Sequence, residues 1–185
     1  MTRTQNSKFG ISLIRRLGRD RKGTSAVEFA LVLPLMLLLY FGGAELSDAI
    51  VVDRKVTSMT SAVGDLVAQS AIIDRREMDN IFEAASAVIS PYDSDPIELL
   101  VSSIEIDEDG NGIVVGSEGF KTSGRAVGSQ VTIPEELQIE GTFLVMAEGS
   151  YVYKPFLGQM LTESITFEDQ FFLRPRVSAE VEFDL

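Results

Sequence analysis

Glu28 is the only charged side chain in the 21 residues from Thr24 to Ala44. A carboxylate inside a spanning helix costs about 2.5–3.5 kcal/mol at mid-bilayer, less toward the interface, so it calls for a partner. Gly23 stands five residues earlier. A cut after Gly23 turns the Thr24 nitrogen into an ammonium with a pKa near 7.7–8.0. Glu28 can neutralise that cation on its own or a neighbouring helix, and in a low-dielectric bundle this pairing sets the axial register. It can equally snorkel to the interface beside Arg21 and Lys22. A second constellation is DEDGNGIVVGSE, residues 107–118. Asp107, Asp109, Asn111 and Glu118 have the spacing of an EF-hand calcium loop, with Gly112 at the sharp turn. The flanks read as strands rather than helices, and a hairpin turn needs the same Asp, Asn and Gly residues. Other chemistry is scarce. The chain has no Cys, His or Trp, which removes Ser-His-Asp and Cys-His catalysis, zinc sites with those ligands, and disulfides. Lys121-Thr122-Ser123 is the single Ser-Lys candidate, and it reads as a solvated turn. No enzyme and no bound cofactor, calcium apart, is expected.

The elements that position these residues begin with a charge asymmetry. Residues 1–23 carry a net charge of +6 and residues 24–185 a net −18. The acidic body argues against nucleic acid as a partner. Residues 24–44 form an apolar helix about 32 Å long, which matches a hydrocarbon core of about 30 Å. Its basic flank stays cytoplasmic and its acidic flank is exported. Three fates are open for such a segment: a plain signal anchor, a cleaved secretory signal ending at Gly42 and Ala44, or a leader cut after Gly23.

The helix is expected to run over 25–73, bent at Pro34 and loosened at Gly64. Val52, Val56, Met59, Val63, Leu66, Ser70 and Ile73 form its stripe, either a coiled-coil seam or a face packed on a sheet. Asp74 with Glu77 marks the start of a second helix that Pro91 ends. Strands are expected at 97–106, 113–115, 131–133, 142–153, 165–173 and 177–183, with 116–130 a mobile loop. Helices followed by a strand meander predict an α+β fold with a mainly antiparallel sheet.

Arg21-Lys22-Gly23 followed by Thr24-Ser25-Ala26-Val27-Glu28-Phe29-Ala30-Leu31 resembles the processing site and N-terminal helix of TadE-like pseudopilins. These are minor pilin-like proteins of the Tad, or Flp-type, pilus. A weaker resemblance lies in residues 131–134, 143–153 and 174–176. Phe29 stands where the major Flp pilins carry Tyr, which favours a minor component. The resemblance implies a pilin-like fold in three parts: a basic cytoplasmic leader 1–23, a transmembrane helix 24–44 and an extracytoplasmic domain 45–185. It implies a prepilin peptidase that cuts after Gly23, leaving Thr24 as the mature N-terminus and Glu28 as the hallmark acid. It also implies partners: other pilins or pseudopilins, the pilus assembly platform and the membrane. The expected location is a bacterial inner membrane, single-pass, with the C-terminal domain periplasmic, for biogenesis of a pilus used in surface adherence. The alternative function is a signal-anchored or secreted binding domain that takes calcium, with Glu28 incidental.

Overall fold

A computed structural model describes residues 23–155 and 164–185. It is an α+β arrangement with a long apolar N-terminal helix, a second helix and a mostly antiparallel sheet. Contacts divide the chain into two compact units, one ending at Ala44 and one running from Glu45 to Leu185.

Helix α1 covers Thr24–Ala68 and contains Pro34. In the second unit its buried positions are Val52, Val56, Met59, Val63 and Val67, a stripe at spacings of four, three, four and four. The stripe packs on the sheet and is not a coiled-coil seam, because it shares one core with Phe82, Leu99, Val101, Val145, Ala147 and Tyr151. Leu66, assigned to the stripe from the sequence, is 40% exposed and Val67 takes its place. Gly64 does not loosen the helix. A Cβ there would lie 2.5 Å from Leu173 Cδ1 and 3.1 Å from Ala147 Cβ, so the missing side chain lets helix and sheet approach closely.

The helix stops at Ala68, five residues short of the expected end. The Arg176 N–H donates to the Ala68 carbonyl at 2.8 Å and the Ser70 N–H to Val67, which satisfies carbonyls that a continuing helix would have used. Ile73 is buried as expected, but as a strand residue. Strand β1, Ile72–Asp74, pairs in parallel with β7, Glu182–Asp184. The alternation over 177–183 predicts a seven-residue strand. Only its end is extended, while Val177 is exposed and Val181 is buried.

Helix α2, Arg75–Ser86, starts as read: the Asp74 carboxylate accepts the Glu77 N–H at 2.7 Å. A 3₁₀ turn over Ala87–Ile89 follows. Strands β2 (Ile97–Ile106), β3 (Gly112–Phe120), β4 (Gln130–Val131), β5 (Phe143–Tyr153) and β6 (Ile165–Leu173) form one antiparallel sheet in the order β4-β3-β2-β5-β6. β3 is longer than the expected 113–115 and takes the first five residues of the expected loop. The reason is contact rather than propensity: Gly116 and Gly119 sit where a Cβ would meet the Phe183 ring at 3.3 Å and the Thr122 carbonyl at 2.4 Å. Glycines that look like loop residues are strand positions with no room.

Ile104, Ile106, Ile133, Leu144 and Met146 form a second core on the sheet's other face. Opposite Val145 of the first core, Ser103 Oγ is buried with no hydrogen-bond partner among the described residues. Replacing Ser103 with alanine removes an unsatisfied hydroxyl at little change in shape, so it is expected to raise stability by about 1 kcal/mol. Chemical denaturation of the two proteins checks this; a loss of stability would show that Ser103 Oγ has a partner after all.

Candidate functional site

Gly23 precedes α1, and Thr24 through Phe29 form its first turns, all exposed. A Cβ added at Gly23 meets nothing within 4 Å. Among the described residues, packing therefore places no demand for glycine at this position. Thr24 and Glu28 are four residues apart, on one face of the helix and separated by about 6 Å of rise. Helical Cα–Cβ bonds tilt toward the N-terminus, so the Glu28 side chain starts out leaning toward Thr24.

Beyond Glu28 the helix is long and apolar enough to cross a membrane, with a window of mean hydropathy 2.0 of which none is buried. Leu31 is 75% and Tyr40 72% exposed. A contiguous apolar surface of that kind marks a lipid- or protein-facing segment. Near its far end Tyr40 packs edge-on against Phe41 at 5.4 Å, a pair suited to a headgroup boundary. Pro34 lies inside α1 and leaves the Ala30 carbonyl without its usual N–H donor.

The calcium-loop residues do not come together. The turn is a hairpin with positive φ at Gly110, not at Gly112, which is already the first residue of β3. Asp107 accepts from the Asp109 N–H at 3.0 Å, the Asn111 N–H at 2.8 Å and Asn111 Nδ2 at 3.2 Å. These bonds, the Asn111 backbone N–H foremost, hold its carboxyl below the usual carboxylate range. A depressed pKa contributes stability above the unfolded value, near 3.9, and that contribution is lost as pH falls through the folded value. Glu118 lies six residues along an extended strand from Gly112, about 20 Å away. It sits opposite Val101 and 3.4 Å from Arg75. Among the described residues no group of three or more acidic side chains is placed to hold a metal ion. Glu118 therefore lies apart from Asp107, Asp109 and Asn111 in this fold. Melting curves with calcium and with chelator are expected to coincide; a calcium-dependent rise would contradict this geometry.

Lys121 stands at φ 58 and donates to the Ser94 carbonyl at 2.8 Å, with Asp95 at 3.6 Å. It ties loop to loop. Two features escaped the sequence reading. Arg125 holds Glu148 with two nitrogens, at 2.8 and 3.1 Å, beside a cavity of about 530 Å³ bordered by Glu98, Ser150, Glu168 and Gln170. Their sequence separation is large, and only the β2-β5-β6 register unites them. Tyr151 and Tyr153 have raised pKa values, chiefly from burial and then from Asp93 and Asp48 respectively. That clustering likewise depends on sheet register.

Residues 23–65 match the family model described as TadE-like protein. No curated protein and no solved structure matches the chain. The matched segment begins at Gly23, contains Thr24, Glu28 and Pro34, and ends within the part of α1 that packs on the sheet. The family is associated with the Tad pilus and is typically structural rather than catalytic.

Proposed function

We propose, with the TadE-like match over residues 23–65 as premise, that the protein is a non-enzymatic pseudopilin for biogenesis of a Tad-type pilus used in adherence. The observation that carries this reading is the match opening on Gly23, five positions before the single acid of the exposed apolar segment 24–44. In this account the chain enters a bacterial inner membrane with the basic residues 1–23 in the cytoplasm and residues 45–185 on the outer side. A prepilin peptidase cuts after Gly23. A glycine that no contact among the described residues requires is what an external active site, reading a backbone without a side chain, would select.

Cleavage creates the Thr24 ammonium at the membrane boundary. Glu28 then has a cation to neutralise, on its own helix or on that of a neighbouring pilin-like subunit. Without water to solvate either charge, the pair strongly favours the stagger that brings them together. The acidic domain is carried outside, where it meets the assembly platform and the growing filament.

The expected result for Gly23→Ser is a retained full-length precursor with unchanged membrane insertion, read on immunoblots of the membrane fraction. A mature-length band of normal intensity would sink the assignment of the cut.

A further inference from the structure

Strand β6, Ile165–Leu173, pairs with β5 along its whole length, and among the described residues no strand lies on its other edge. A nine-residue edge with unpaired backbone groups is a template for another strand. Phe167 and Leu173 pack toward the helix-covered core, whereas Phe172 belongs to the opposite core. By alternation Glu168, Gln170 and Arg174 share the Phe172 face. The Gln170 N–H donates to the Asp169 carboxylate at 2.9 Å instead of to β5, so even-numbered residues present their backbone groups to the open edge.

We infer that β6 pairs antiparallel with β6 of a second copy about a two-fold axis at Phe171. Register decides it. Matching faces across a two-fold requires the axis to fall on a residue. An axis at Asp169 sets two carboxylates against each other, and one at Gln170 puts Glu168 against Phe172 with no charge compensation. An axis at Phe172 pairs Glu168 with Arg176, which is already bound to Asp65 and the Ala68 carbonyl. The axis at Phe171 places Glu168 opposite Arg174, twice by symmetry. Both are exposed and neither has an ion-pair or hydrogen-bond partner among the described residues. This register also makes Gln170–Phe172 and Glu168–Arg174 the hydrogen-bonded pairs, and Pro175, which lacks an N–H, falls at a position that donates nothing to the edge. Asp169 releases the Gln170 N–H and lies beside Leu173, the least favourable pair of the set. The pairing joins two sheets into one of ten strands and does not depend on cleavage after Gly23.

The chain has no Cys, so single cysteines report the register. In full-length protein in membranes, Phe171→Cys is expected to form a disulfide dimer under mild oxidation, since facing residues on the axis lie within bonding range. Thr166→Cys, opposite Arg176 rather than itself, should give roughly tenfold less. Arg174→Glu in the Phe171→Cys background should cut the yield about fivefold, and adding Glu168→Arg should restore it. If Phe171→Cys fails to fold, Glu168→Cys/Arg174→Cys at exposed positions tests the same register. Equal yields at 166 and 171, or no recovery with the charge swap, overturn the proposal.

Discussion

Replacing Glu28 with alanine is expected to abolish surface piliation while leaving the protein inserted and processed. The asymmetry follows from where the carboxylate acts. Insertion becomes easier when an acid leaves an apolar helix, because about 2.5–3.5 kcal/mol of mid-bilayer cost disappears, or less near the interface. Assembly becomes harder, because the Thr24 ammonium is left without its counter-charge as helices pack. Removing one member of a buried pair costs about 3–5 kcal/mol, which corresponds to more than ~100-fold in subunit association. Glu28→Gln should recover only part of the loss, since it keeps the hydrogen-bonding oxygen but not the charge. Counting pili by electron microscopy, with immunoblots of membranes for insertion and maturation, separates the two effects. Normal piliation with Glu28→Ala would falsify the ion-pair account.

The second large effect belongs to the unit from Glu45 to Leu185. A Cβ at Gly149, in the middle of β5, would lie 2.0 Å from Thr60 Oγ1 and 3.2 Å from Thr60 Cβ. Thr60 is fully buried and its hydroxyl donates to the Val56 carbonyl at 2.9 Å, so it cannot swing aside without losing that bond. Gly149→Ala is therefore expected to destabilise the domain by about 1–3 kcal/mol, although alanine suits a strand better than glycine does. Thr60→Ala removes the obstructing oxygen. The Thr60→Ala/Gly149→Ala double variant should then cost clearly less than the sum of the single changes, by about 0.5–3 kcal/mol of coupling. Additive losses in denaturant titrations would mean that the helix and β5 do not approach each other at these residues.

What the sequence makes legible here follows from how local each signal is. The Asp74 cap is visible because cap and bonded N–H lie three residues apart. β2 and β6 match their expected limits because the DEDGNG turn closes the β-rich run of β2 and Arg174-Pro175-Arg176 closes β6. The candidate site at Gly23, Thr24 and Glu28 is read from equally local spacing, all within six residues, and its chemistry rests on that spacing. Signals failed where distant chain supplies the determining contact. Ser70 and Ile73 continue the helical pattern, yet Arg176 and the β7 segment capture the backbone from Ala68 onward. Gly64 and Gly116 look like points of looseness, and each instead makes room for a side chain far away in sequence, Leu173 and Phe183. The calcium pattern shows the same limit of local spacing. Its residues have the right types and spacing, but the strand that begins at Gly112 carries Glu118 away from Asp107.

The central claim is that a new N-terminus arises next to Glu28, and intact-protein mass spectrometry of the membrane fraction tests it most directly. The account predicts a chain that begins at Thr24. A chain that retains its basic leader, or one that begins at Glu45, would contradict it.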